Sequence, residues 1–332
     1  MFPIGPVLRS RKFLIPSGLL ALAGAASAGL MLWAGDHLAS PPRRSLMDHH
    51  REFLADPAAH GMRIERFTAS DGTPCLVCTP QGVPGMRGAL IRDQLEARNL
   101  TVPSFGAITG NLMLLHGRKG RKEDFLPIAE RLCAAGFRCI IPDLPAHGEH
   151  PGKVITYGVR EAALPAQVFR EASRHFGFQE QPCGLIGMSM GGSVAVHAAA
   201  LPDAPWKALV IIASFDALEP AVRGQATVRV GDTLASPWME GAAKIYESKT
   251  GLPLASVQPG VHAARIGIPT LVAHGTNDTI TLLSSGRKLF DAFPASTEKQ
   301  WIEVPGAGHD NVLITEFPIY ATIAEWMINH LR

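Results

Sequence analysis

From Gly110 onward the sequence repeats one pattern: a short apolar run, a turn carrying glycine, then a stretch whose apolar residues recur at helical spacing. The apolar runs are residues 111–115, 137–141, 184–188, 208–213, 269–273 and 299–304, each short enough for a strand buried on both faces. Between them, residues 123–135 place Phe125, Ile128, Ala129 and Leu132 on one helical face. Residues 161–175, 191–200, 286–293 and 317–331 read as further helices. Parallel strands need a crossover rather than a tight turn. The alternation therefore predicts βαβ units and a mostly parallel sheet with helices on both faces. Residues 62–80 read differently, as two strands joined at Asp71-Gly72.

Two stretches break the rhythm. Residues 81–109 contain a charged segment at 90–100, and residues 214–265 separate two strands that one helix would connect. In the second stretch, Ser236 before Pro237 reads as a helix start, and Lys249 with Gly251 as its end.

A chain that is 46% hydrophobic and 18% charged has ample material for a core and is not a disordered one. Its net charge of +2 gives no global pull towards nucleic acid. Neither zinc-finger spacing nor an aromatic-interleaved basic stripe is present, so no nucleic-acid partner is expected. Cys75 and Cys78 have the spacing of a metal or redox pair, but they sit inside a strand. Residues three apart in a strand face opposite ways, so these thiols are expected to be buried and structural. No metal or organic cofactor is implied.

The N-terminus is a separate segment. Arg9, Arg11 and Lys12 precede an uncharged run at 13–35, long enough to span a bilayer. Ala26-Ser27-Ala28 resembles a cleavage site, which makes a secretion signal the alternative. The apolar run continues through Leu30, Met31, Leu32 and Trp33, which favours an uncleaved anchor. The positive residues before the run, set against Arg43, Arg44 and Arg51 after it, place the following domain on the exported side. Residues 1–36 are thus expected to be an anchor or signal, membrane contact to run through 13–35, and residues 37–332 to form the globular domain.

The chemistry centres on Gly187-Met188-Ser189-Met190-Gly191-Gly192, which follows an apolar strand and opens a helix. A serine nucleophile must project from a sharp strand-to-helix turn, with small neighbours that let the backbone pass closely. The helix also points its positive end at the serine. His116-Gly117-Arg118 follows the strand at 111–115. Together with the residue after the serine it can supply two backbone donors to an oxyanion, here the N–H groups of Arg118 and Met190. His116 itself reads as a brace of that loop.

Asp278 ends the segment Gly275-Thr276-Asn277-Asp278 after a strand, where it can orient an imidazole. Asp216 is the alternative acid. His309 closes Gly306-Ala307-Gly308-His309 after the last strand and would be the general base, giving the order Ser189, Asp278, His309.

On these blocks, residues 62–332 resemble the α/β-hydrolase superfamily, particularly its broad bacterial branch. Asp143-Leu144-Pro145-Ala146-His147-Gly148 also resembles a turn of that family, in which Asp143 and His147 are structural. The resemblance implies an eight-stranded sheet and a cap after the sixth strand, at 214–265. Arg118 stands where the HGGG lipases and esterases carry further glycines, which argues against close kinship with those enzymes.

Such a triad licenses acyl transfer through an acyl-Ser189 intermediate. The expected substrate is a small-molecule acyl compound, a carboxylic ester first and a thioester or amide behind it. An acyltransferase would use the same triad with another acceptor, and a membrane-tethered scaffold would have no chemical need to keep it. Arg118, Lys119, Arg121 and Lys122 read as a solvated loop and first helical turn offset by Glu123 and Asp124, with a site for an anionic substrate as the competing reading. Trp238 and Met239 are candidates to line an acyl pocket or to pack the cap.

Overall fold

The computed structural model describes residues 17–331, with the backbone alone for helical residues 17–26, 228–230 and 232–234. The chain opens with helices α1 (Ser17–Ala39) and α2 (Asp48–Ala55), then forms strands β1 (Met62–Thr68) and β2 (Pro74–Pro80). Helix α3 (Met86–Glu96) precedes β3 (Gly110–Leu115), α4 (Leu126–Ala134) and β4 (Phe137–Pro142). Next come α5 (Leu164–Phe176), β5 (Cys183–Met188), α6 (Met190–Ala199) and β6 (Ala208–Ile212). Helices α7 (Leu218–Val230), α8 (Asp232–Thr250) and α9 (Pro259–Ala263) intervene before β7 (Thr270–Gly275). Helix α10 (Leu283–Ala292), β8 (Lys299–Val304) and α11 (Ile319–His330) complete it.

The strands form one eight-stranded sheet in the order β1-β2-β4-β3-β5-β6-β7-β8. β1 pairs antiparallel with β2, and β2 with β4; the remaining pairings are parallel. Every residue of β3, β6 and β7 is buried, as a strand covered on both faces requires. β8, on the edge, is exposed or half-buried up to Val304 and keeps Lys299 and Glu303, charges that suit an unpaired edge.

The sheet divides the core in two. Cys75, Met113, Leu185 and Leu209 face a layer shared with α5, α6 and the insertion after β6. Leu76, Cys78, Leu112 and Ile186 face the other layer, with α3, α4 and α11. Cys75 and Cys78 thus lie on opposite faces, and the five cysteines are free and buried.

Four stretches of the sequence fold in ways that its local pattern does not show. The charged segment at 90–100 belongs mostly to α3, whose Ile91 and Leu95 are buried against the body. In the cap, the helix begins at Asp232 and carries Pro237 inside it, so the proline does not mark its start.

The third is the membrane anchor. No helix among the described residues is long and apolar enough to cross a membrane. Residues 13–16 of the expected span lie outside the described residues, and the rest belongs to α1. Ala34, Leu38 and Ala39 at the end of α1 are buried in the protein, and Asp36 pairs with Lys249 of α8. The end of α1 packs into the protein and no described helix can cross a membrane, so the transmembrane assignment and the exported orientation built on it are withdrawn. Ser27 and Ala28 of the cleavage-like triplet lie within the same continuous helix.

The fourth concerns Arg121 and Lys122, which are buried rather than solvated. Arg121 bonds Glu123 at 2.5 Å, and Lys122 reaches Asp143 at 2.8 Å and Glu149 at 2.7 Å.

Candidate active site

The site lies along the carboxyl ends of β3, β5, β7 and β8, where an open α/β sheet gathers functional groups. At the end of β5 the backbone turns abruptly into α6, and Ser189 adopts φ 54° and ψ −118°. A non-glycine residue in that region stores strain. The turn is tied down on both sides: the Ser189 N–H donates to Ile212 O at 2.8 Å, and Ser214 Oγ donates to Ser189 O at 2.8 Å.

The flanking glycines are there because nothing larger fits. A Cβ on Gly187 would stand 2.2 Å from Gly191 O, and one on Gly191 would stand 2.2 Å from Leu115 O. Absence of those side chains lets α6 start against the end of β3.

The structure brings Ser189, His309 and Asp278 together. Ser189 Oγ lies 2.9 Å from His309 Nε2, and His309 Nδ1 lies 2.8 Å from Asp278 Oδ2. A carboxylate only accepts, so Nδ1 carries the proton and Nε2 is free to accept from the serine hydroxyl. Asp278 Oδ1 accepts the N–H groups of Ile280 (2.8 Å) and Thr281 (2.9 Å). Thr281 Oγ1 lies 2.9 Å from Asp278 Oδ2 and 3.1 Å from His309 Nδ1. Burial pushes the Asp278 carboxyl up, but hydrogen bonds from His274 and His309 and from the Ile280 N–H outweigh it. The carboxyl is held well below the ordinary carboxylate range and stays ionised.

Asp216, the alternative acid, is engaged elsewhere: it accepts from Ser285 Oγ at 2.5 Å. Thr281 and His274 were not singled out in the sequence. Thr281 sits three residues after Asp278, the spacing of a local side-chain turn, which is the signal that could have found it. His274, wholly buried, donates from Nε2 to Thr281 O at 2.7 Å and so braces the same turn.

Met190 occupies the first position of α6, where a backbone N–H has no intrahelical acceptor. The 116–118 loop runs beside the serine: a Cβ on Gly117 would stand 3.4 Å from Ser189 Cβ. His116 holds that loop. Its Nε2 accepts the Leu144 N–H at 3.0 Å, leaving Nδ1–H to bond Gly117 O at 2.9 Å. Burial keeps this imidazole neutral by pushing its pKa down. Arg118 turns its side chain away to His37 O, 3.0 Å distant.

The site opens into a cleft of about 2020 Å³. Met188, Trp238 of the cap, Ile128 and Leu313 are among its apolar lining residues. Met239 instead is buried in the core.

Residues 112–324, well over half of the chain, match the model of the alpha/beta hydrolase family. The alpha/beta hydrolase domain-containing protein aho-3 of Caenorhabditis elegans is 36% identical over 80 residues, 24% of each chain. The chain spans about a quarter to a third of the length of the curated relatives it matches. Among solved structures, the Pyrococcus furiosus esterase Pf2001 superposes with a TM-score of 0.61 at 14% identity, covering 89% of this chain and 99% of that one. TT1662 from Thermus thermophilus gives 0.52 at 23% identity, covering 82% and 98%. At these identities the likeness is one of fold.

Proposed function

We propose that this chain, a member of the alpha/beta hydrolase family, is a hydrolase that cleaves a carboxylic ester through an acyl-Ser189 intermediate. The observation that carries this reading is the Ser189–His309–Asp278 relay, with contacts of 2.9 and 2.8 Å. The motif blocks around Ser189, Asp278 and His309 support kinship with the bacterial esterase-like branch, with residues 214–265 as the cap.

Ser189 Oγ attacks the acyl carbon while His309 Nε2 takes its proton. The carbonyl oxygen becomes an oxyanion facing the N–H groups of Met190 and Arg118, and Asp278 stabilises the imidazolium from its other side. Collapse expels the alcohol, which takes the proton from Nε2. Water, deprotonated by the same nitrogen, then attacks the acyl-serine and returns Ser189 as the acid departs. Trp238 and the other apolar walls favour an ester over a more polar amide.

The test is fluorophosphonate labelling of the full chain beside Ser189→Ala, followed by turnover of p-nitrophenyl esters. Labelling and turnover that both vanish in the variant support the reading. Folded wild-type protein that neither labels nor cleaves any ester overturns it.

A further inference from the structure

One wall of the cleft that Ser189 and His309 open into is helix α1: Leu30, Met31, Trp33, Ala34 and Leu38 line it. The helix is fixed in that place. Gly35 approaches α8 so closely that a Cβ would stand 2.5 Å from Ala242 O, and a Cβ on Gly241 of α8 would stand 2.6 Å from Met31 Sδ. Small residues at the crossing let the two helices touch backbone to backbone. Beyond it, Tyr157 Oη donates to Leu38 O at 2.9 Å and the Ile155 N–H to Ala39 O at 2.9 Å. Arg118, in the loop beside Ser189, donates to His37 O at 3.0 Å. The helix is therefore fastened to the cap on one side and to the site loop on the other.

Leu30 and Trp33 keep 52% and 55% of their surface exposed on this fixed wall. Leu32 is as exposed, at 55%, but does not line the cleft. The cleft's 2020 Å³ exceeds the roughly 300–1,000 Å³ of ordinary small-molecule pockets, so an acetyl group would leave it filled with water. An apolar wall continuous with a nucleophile is covered best by the group that the nucleophile carries.

We infer that α1 is the acyl-chain wall of the site and that the substrate is an ester of a long apolar acid rather than a short one. This rests on the acyl-Ser189 reading and adds to it the substrate class and the residues that select it. Each methylene taken from water is worth roughly fourfold in binding, so a charge placed on the wall penalises long chains and leaves short ones alone.

The experiment compares Leu30→Asp, Trp33→Asp and Leu32→Asp in the full chain, using p-nitrophenyl acetate, octanoate and palmitate in one dispersant. In the wild type, kcat/KM is expected to rise with chain length. In the Leu30 and Trp33 variants, the palmitate-to-acetate ratio is expected to fall by about tenfold or more, with acetate turnover reporting an intact fold. Leu32→Asp is expected to keep the wild-type ratio. A wild type that prefers acetate overturns this inference and leaves the serine hydrolase standing. So does an equal drop for every chain length, or a Leu32 variant that behaves like the other two. A wild type that labels with fluorophosphonate nowhere and cleaves none of the esters overturns the hydrolase reading and this inference with it.

Discussion

Lys122 Nζ lies 2.8 Å from Asp143 Oδ2, with both side chains cut off from solvent. The same carboxylate accepts the N–H groups of Lys122 and Glu149, each at 2.8 Å. Burial pushes the Asp143 carboxyl up and the Lys122 ammonium down, but their mutual attraction outweighs burial and keeps both charged. Removing one partner leaves a charge alone in the interior, at a cost of about 3–5 kcal/mol. Lys122→Met is expected to lose about that much stability in urea unfolding near neutral pH. Adding Asp143→Asn removes the stranded charge but keeps an acceptor for only one of the two N–H groups, which bond different carboxylate oxygens, so the double variant is expected to recover part of the loss and not all of it. A double variant weaker than the single one would refute this account.

Thr281 makes a second test, at the site. Its hydroxyl lies against both Asp278 and His309, and a hydrogen bond to a charged group is worth about 1.5–3 kcal/mol. Thr281→Val is expected to lower kcat by about tenfold or more on a p-nitrophenyl ester. Asp278→Asn, which disturbs the imidazole tautomer, is expected to lower it by on the order of ten-thousandfold. Steady-state kinetics distinguishes the two, and a Thr281→Val enzyme with unchanged kcat would remove Thr281 from the machinery.

These contacts show where sequence reading stops. The sheet was legible because most strands from β3 onward are short apolar runs that end at a turn, a local signal. Ser189, Asp278 and His309 stood out because each follows the end of such a run. Thr281 did not, because its role depends on the direction of a turn that composition leaves undetermined. Lys122 looked like a solvated charge because its partners Asp143 and Glu149 lie 21 and 27 residues further on. The run at 13–35 looked like an anchor for the same reason. The end of the helix it belongs to packs on α8, where Gly35 meets Ala242 and Asp36 meets Lys249, 213 residues further on, and no window confined to the N-terminus contains that partner.

Buried histidines give a pH dependence of stability. Burial pushes His147 down to about 3 and His197 down to about 4. In the unfolded chain a histidine titrates near roughly 6.5. Between those values the unfolded state binds more protons, so stability is full above about 6.5 and falls as the pH drops towards the folded pKa. Each group adds a slope of up to about 1.4 kcal/mol per pH unit in that window. His197→Gln, whose amide can still donate to Ser193 O, is expected to lose less stability than the wild type between about pH 6.5 and 5. Urea midpoints across that range check it, and parallel curves would exclude His197 as a contributor.

Gly191 joins the fold most directly to the chemistry. A Cβ there would stand 2.2 Å from Leu115 O and 2.6 Å from His116 O, both backbone atoms that cannot swing aside. Gly191→Ala must therefore push the start of α6 away from the end of β3. That movement separates the Met190 N–H from the 116–118 loop, so the two donors proposed for the oxyanion no longer converge. Loss of one such donor costs about a hundred- to a thousandfold in rate, and Gly191→Ala is expected to fall at least that far, with slower fluorophosphonate labelling. Gly267→Ala is the control: nothing lies within 4 Å of its added Cβ, and it is expected to match the wild type in rate and melting temperature. If Gly191→Ala remained as active as Gly267→Ala, close approach at the elbow would not be what sets the geometry around Ser189.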